Sequence, residues 1–449
     1  MLYPCLAHVA KLPRILTAAL MLAGVALSLP LTAHAQTETT IYNFANTGPY
    51  APQTGPVMDK AGSLYGVTPS GGTGSNGVVY KLTPVSGGWE ESVIYTFTGS
   101  TDGGRPSSTP IFDASGNLYG TTEYGGDINS SNCYSVGCGV VYKLTPTSSG
   151  EWTETTLYAF TGGKDGGFPV TGTLVLDAAG NLYGSNIGGG NLTTQSCQNT
   201  TSCGVIFQLS PVATGKWKIS LLHTFTGGGD GVGPAGLVFS PSGTLFGSAA
   251  GAWSGWELPS RPGLIFQLTP TASGPWTDTV VYAFKGGVDG GLPTPPVFDH
   301  AGNIYGSGAD GGILNNCWSG YGPMGCGVVF KLSPTAGGQW KETTLYQFTG
   351  GSDGNQPDGG LVFDKGNLYG TAWSGGAPSG QCPGSGCGVV FELKQQPGGG
   401  WNETVAHSFV GTDGSIPESK LVMDKAGNLY GITSSGGANT GGVVFEITP

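Results

Sequence analysis

Seven times this chain spells a short apolar strand, a turn around Asp and Gly, and then Asn-Leu-Tyr-Gly or a close variant. The glycines of that phrase are Gly66, Gly120, Gly184, Gly247, Gly306, Gly370 and Gly431, spaced 54, 64, 63, 59, 64 and 61 residues apart. A near-fixed period of this size marks a repeat architecture, in which each unit buries its apolar face only against its neighbours. Gly and Pro together make 114 of 449 residues. Without a period that share would point to disorder; recurring at fixed places between β-rich runs, it reads as turn punctuation.

Residues 339–400 show the unit. Trp340 opens it, and Thr343 to Phe348 alternates as a half-buried strand does. A loop with Asp353-Gly354 and Pro357 follows, then Leu361-Val362-Phe363, a tight turn at Asp364-Lys365-Gly366, and a third strand, Asn367 to Thr371. A Gly-rich loop with Cys382 and Cys387 leads to the fourth strand, Gly388 to Leu393. Four short antiparallel strands, seven times, predict an all-β fold: a seven-bladed β-propeller of four-stranded antiparallel blades. A parallel β-helix, the main competitor, has far shorter coils. The chain starts its first repeat with Thr39 to Phe44, which matches an outermost strand, and ends with Gly442 to Ile447, which matches Gly388 to Leu393. The phase therefore predicts that the N-terminal strand closes the last blade and removes the open edge.

The first 35 residues predict a cleaved signal peptide: Lys11 and Arg14, an apolar run over 15–31, and Ala33-His34-Ala35. One propeller over 36–449 is expected after it, with repeats at about 37–88, 89–150, 151–215, 216–274, 275–338, 339–400 and 401–449. Without Lys11 and Arg14, 15 basic face 28 acidic side chains, a net charge of −13. That excludes nucleic acid as a natural partner. No later apolar run reaches membrane-spanning length. The expectation is a monomer, periplasmic, at the cell surface or secreted.

The pattern Leu-Tyr-x-Phe-Thr-Gly-Gly-x-Asp-Gly-Gly-x-Pro, then Gly-Asn-Leu-Tyr-Gly-Thr, then Gly-Val-Val-Phe-x-Leu-Thr-Pro resembles the GloVer tandem repeat of bacterial "choice-of-anchor" proteins. Residues 154–187 and 343–395 carry it well, and it extends over about nine-tenths of the chain. The fourth repeat departs most, with Ser240 for the turn Asp and Phe246 for Tyr. The resemblance implies export and repeat architecture, and no established activity.

Eight cysteines beyond the signal segment fall into four local pairs, Cys133/Cys138, Cys197/Cys203, Cys317/Cys326 and Cys382/Cys387, each in the same loop of its repeat. An even count, export and positional recurrence predict four local disulfides. Zinc is the alternative, disfavoured by the lack of nearby His.

Asp102, Asp165, Asp230, Asp289, Asp353 and Asp413 recur in the inter-blade loops. Recurrence makes them scaffold, since Asp-Gly turns use the carboxylate to accept backbone N–H bonds; Ca²⁺ is the one cofactor they leave open. Asp127-Ile128-Asn129 lacks the rest of a Ca²⁺ loop. His223 and His407 stand where other repeats have Tyr, His300 lies in a turn, and no metal cluster follows from their spacing. No catalytic set is visible. Asp358 and Glu418, each just past a loop Pro, are unshared acidic residues in separate repeats.

Trp89, Trp152, Trp217, Trp276, Trp340 and Trp401 recur in register and are expected to pack blades. Tyr124, Tyr134, Trp253, Trp256, Trp318, Tyr321 and Trp373 do not recur; they lie in the Cys loops and their counterparts. They are candidate stacking residues for a carbohydrate, with small local cores as the structural alternative. The function expected is a binding module for a polysaccharide or surface protein. A polysaccharide lyase or glycosidase on a propeller scaffold, or a structural surface protein, are the alternatives.

Overall fold

A computed structural model describes residues 36–45, 52–133, 135–169, 173–191, 197, 203–213, 215–251, 262–271, 276–314, 317–319, 322–382 and 384–449. The predicted signal peptide lies outside them. Residues 36–449 form one unit.

That unit is a seven-bladed β-propeller of antiparallel sheets. Blade six is representative: Leu361–Asp364, Asn367–Ala372, Val389–Gln395 and Trp401–Ser408 pair in chain order. In blades two and five the first strand is broken in two; Gly104–Pro106 and Ile111–Phe112 both pair with Leu118–Tyr124. The segments that lead into the first strands abut from blade to blade and form the inner ring. Ser107 and Thr121 both donate to the Pro169 carbonyl, and Thr371 donates to that of Ser419. The fourth strands alternate exposed and half-buried residues, as an outer rim does.

The ring closes as the phase of the repeat requires. Thr37–Ala45 pairs antiparallel with Thr440–Thr448, with Thr40 opposite Phe445 and Ala45 opposite Thr440. Phe44 is fully buried and meets Tyr80 of blade one at 5.2 Å between ring centroids.

The signature glycine has a steric cause. A Cβ on Gly370 would lie 2.5 Å from the Phe391 ring tip, and one on Gly431 2.5 Å from that of Phe445. The glycine lets the next strand's buried aromatic lie flat across it. The Tyr before it anchors the turn. In blade two Asp113 accepts from the backbone N–H groups of Ser115 and Asn117 (2.9 Å each), from Asn117 Nδ2 (2.6 Å) and from Tyr119 Oη (3.1 Å). Burial pushes the Asp113 carboxyl up, but these bonds outweigh it and hold the group below the usual aspartate value. In blade four Ser240 and Phe246 replace both partners at once: the Ser240 hydroxyl accepts from the Thr244 N–H, and Phe246 packs on Phe298.

Each in-register Trp packs on the preceding blade. Trp152 meets Tyr65, Trp401 meets Tyr305, and Trp89 crosses the seam to Tyr430, with centroids 6.0, 6.2 and 6.2 Å apart. The cores likewise bridge blades; Phe225 of blade three and Phe266 of blade four share one.

Candidate functional site

In this strand order, the loops from each outer strand to the next inner strand share a face with the cysteine loops. All four disulfides form within their loops, with Cα–Cα separations of 5.1 to 5.4 Å. Such bonds persist in oxidising surroundings and fit an extracellular or periplasmic protein.

The recurring inter-blade aspartates are scaffold. Asp353 accepts from Tyr346 Oη at 3.0 Å, from the Thr349 N–H at 2.8 Å and from the Thr349 hydroxyl at 2.5 Å. Asp165 repeats this with Tyr158 and Thr161. His223 and His407 take the place of the tyrosine, bonding Asp230 at 3.3 Å and Asp413 at 2.9 Å.

Four residues beyond each of those aspartates, the chain reaches a proline at the ring mouth. The residue before it is left-handed: Arg105 (φ 55°), Phe168 (φ 56°), Gly233 (φ 55°), Leu292 (φ 44°), Gln356 (φ 56°) and Ile416 (φ 61°). Five carry side chains, and left-handed non-glycine residues cost about 1–3 kcal/mol each. A β-branched Ile416 is the least tolerant. The surroundings hold them there. The N–H of Phe168, Gly233, Gln356 and Ile416 donates to the carbonyl of Cys138, Cys203, Cys326 and Cys387 of the preceding blade, at 2.9, 3.0, 3.0 and 3.0 Å. The following proline seats on the glycine after that cysteine; a Cβ on Gly327 would lie 2.3 Å from Pro357 Cδ. One backbone geometry thus presents six different residues around one opening.

Their neighbours are as varied. Arg105 Nε pairs with Glu123 at 2.8 Å and lies over the Tyr124 ring, 5.7 Å from its centroid. Tyr124 packs edge-on to Phe168 at 6.3 Å. Trp373 is 37% exposed, and its N–H donates to the Gln356 carbonyl at 3.1 Å. Asp358 and Lys420 are reached by solvent yet closely surrounded by protein. Burial, then the neighbouring Glu418, pushes the Asp358 carboxyl up to about 7. Burial also raises Glu418, against a hydrogen bond from Ser434, and lowers the Lys420 ammonium.

Sequence spacing kept Asp358 and Glu418 apart; the fold brings them, from blades six and seven, near enough for the Glu418 charge to raise the Asp358 carboxyl. Among the expected aromatics, Tyr124 is half-buried and Trp373 exposed at the mouth. Trp318 lies in a short strand, Trp318–Ser319, paired with Gly322–Pro323, and its side chain is outside the described residues. Tyr134, Trp253, Trp256 and Tyr321 lie outside them too. The left-handed ring was not anticipated from sequence. Its signal was there: the position before the loop proline varies among Arg, Phe, Gly, Leu, Gln and Ile while its flanks recur.

On the opposite face, blade six's shorter turn leaves a cleft lined by His300, Phe363 and Lys365. Among the described residues, no helix is long and apolar enough to cross a membrane.

The family model described as the Gloeobacter/Verrucomicrobia repeat matches residues 24–251 and 257–449. Among curated proteins, none matches the chain by sequence. Similar solved structures include the extracellular domain of a hybrid two-component system from B. thetaiotaomicron. It is 11% identical with a TM-score of 0.53, over 92% of this chain and 42% of that one. The same domain described as part of a one-component system gives 10% identity and a TM-score of 0.50, over 91% and 42%. This chain thus spans well under half of those proteins, and at such identity the likeness concerns the fold. A gluconolactonase from Xanthomonas campestris is 14% identical, with a TM-score of 0.40 over 91% of this chain and 99% of that one.

Proposed function

The chain belongs to the Gloeobacter/Verrucomicrobia repeat family, and from that premise we propose that it is an exported binding module. A cleaved signal peptide over 1–35 delivers it, and the ring mouth on the cysteine-loop face takes the ligand. The observation that carries this reading is the ring of left-handed residues. Strain of about 1–3 kcal/mol per residue is tolerated where the surroundings over-determine it, and it clusters at functional sites. Here it recurs at six junctions on a constant backbone, with a different residue at each, the arrangement of a rigid scaffold carrying a specific surface.

Carbohydrate is the ligand class best matched to Trp373, Tyr124 and Phe168 beside Arg105, Gln356 and Asp358: rings to stack on, with charged and amide groups to bind hydroxyls. Tyr134, Trp253, Trp256, Trp318 and Tyr321, which the sequence puts in the cysteine loops and their counterparts, are the further stacking candidates. The test is a glycan array with pull-down, using the mature protein and Trp373→Ala, Phe168→Ala, Trp256→Ala and Trp318→Ala. Loss of binding in the first two supports the mouth. Binding that survives all four substitutions rejects it.

A second reading rests on Asp358 and Glu418. A carboxyl held near neutral pKa beside a second carboxyl is the pairing that glycoside hydrolysis uses. Release of reducing sugar from a polysaccharide, abolished by Asp358→Asn, would establish it; binding without turnover leaves the first reading in place.

A further inference from the structure

At each described blade junction with the full pattern, the outer-rim Tyr binds its loop Asp, and an acidic residue from the next blade's outer strand lies near: Glu154 by Asp102, Glu342 by Asp289, Glu403 by Asp353. At the seam the tyrosine is His407, the loop aspartate is Asp413, and the third group is Glu38 on the closing N-terminal strand. One potential ligand atom from each of the three lies within 4.8 Å of the others, and all three side chains are half-buried. They come from two distant stretches: His407 and Asp413 are six residues apart, and Glu38 and His407 stand 369 positions apart.

We propose that Glu38, His407 and Asp413 form a divalent transition-metal site, with zinc as the best-matched ion, that staples the closing strand to blade six. One imidazole nitrogen and two carboxylate oxygens are a zinc-type donor set, with a fourth position left to water. A tetrahedral ion with ligand bonds of about 2.0–2.1 Å needs donors roughly 3.3 Å apart. His407 Nε2 and Asp413 Oδ2 stand at 2.9 Å, so the ion would replace that hydrogen bond after a small side-chain rotation. The charges agree: with neutral imidazole, two carboxylates face each other in a partly desolvated place, and a divalent cation cancels both. Asp413 is steadied by the Val410 N–H at 2.9 Å, and Glu38 accepts from the Thr40 hydroxyl at 3.1 Å. Four junctions carry a phenol in place of this imidazole, Tyr95, Tyr158, Tyr282 and Tyr346. At the blade-three junction His223 sits by Asp230 and Asp278, but among the described residues the 4.8 Å grouping occurs at the seam.

The test is thermal unfolding of the untagged mature protein with EDTA or with ZnCl₂, alongside zinc titration by calorimetry. Wild type should take up one equivalent and unfold at a higher temperature with zinc. His407→Tyr restores the residue of the other junctions, keeps the bond to Asp413, and should fold normally without the zinc response. Glu38→Gln should weaken uptake at least tenfold, and His223→Tyr should leave it intact. No saturable uptake by wild type, a zinc response kept by both His407→Tyr and Glu38→Gln, or its loss in His223→Tyr would each overturn the site.

Discussion

The backbone N–H of Gln356 donates to the carbonyl of Cys326 in the preceding blade, at 3.0 Å. The disulfide of one blade thereby fixes the left-handed mouth residue of the next. Reducing Cys317–Cys326, or replacing both with Ala, removes the constraint on a loop of separation 9. The loop-entropy relation puts the loss at about 2–3 kcal/mol. The mouth should suffer more than the ring: hydrogen exchange at the Gln356 and Trp373 amides should speed up while the strand Val328–Pro334 stays protected. Equal protection at those two amides before and after would contradict the coupling.

Tyr65, Tyr119, Tyr183, Tyr305 and Tyr430 each donate to a turn aspartate, and blade four loses both members together as Phe246 and Ser240. Phe246→Tyr alone places a hydroxyl without its acceptor and should destabilise by about 1 kcal/mol. Ser240→Asp with Phe246→Tyr should recover it. A double-mutant cycle from urea melts should show a favourable coupling of roughly 0.5–1.5 kcal/mol; additive effects would sink the pairing.

Tyr80 and Tyr142 stand where the other five blades have phenylalanine under the signature glycine. Their hydroxyls are buried and have no hydrogen-bond partner. A buried polar group left unmatched costs about 1–3 kcal/mol. Tyr142→Phe keeps the ring packed on Phe97, 5.1 Å away, so it should raise the urea midpoint. An unchanged or lowered midpoint would mean the hydroxyl is satisfied.

Stability should peak in mildly acidic solution. Burial raises Glu154, Asp358 and Glu403 to about 7. Between the ordinary carboxyl range and about 7 the folded chain holds protons that the unfolded chain has released, so stability falls as pH rises through that window. Asp113, Asp177, Asp299 and Asp413 are lowered, burial acting upward and hydrogen bonds acting more strongly downward. Their contribution is present above the ordinary aspartate value of 3.8 and is lost as pH falls toward the lowered values. The melting temperature should therefore be higher at pH 5.5 than at pH 8 and drop below pH 4. Glu403→Gln, whose Oε1 is buried without a partner, should flatten the alkaline side. A melting temperature that climbs from pH 5.5 to 8 would refute the assignment.

The blade count, strand order, seam and disulfides were legible in sequence because each repeats, and repetition turns single weak signals into a register. The mouth was only half legible. Trp373 declared itself by breaking the pattern, but Arg105, Phe168 and Gln356 look like ordinary loop residues until the backbone gives them positive φ. Proximity between distant parts of the chain left no local trace: Asp358 near Glu418, and Glu38 near His407.

The seam decides how the ring fails. Thr37–Ala45 supplies the outer strand of blade seven, buries Phe44 against Tyr80, and lends Asn43 Oδ1 to the Ala438 N–H at 2.8 Å. Without it Thr440–Thr448 becomes an exposed apolar edge, ready to pair with another chain, and blade one loses the partner that covers Leu64 and Leu82. Because neighbours share cores all the way round, the loss should not stay local. Deleting residues 36–45 should lower the melting temperature by well over 10 °C, broaden the transition and promote association by light scattering. Supplying the segment as a separate peptide should restore part of the loss, since the register at Thr40 and Phe445 needs no covalent link. A shortened chain that melts sharply, as a monomer, within a few degrees of the full one would show that the ring does not depend on its seam.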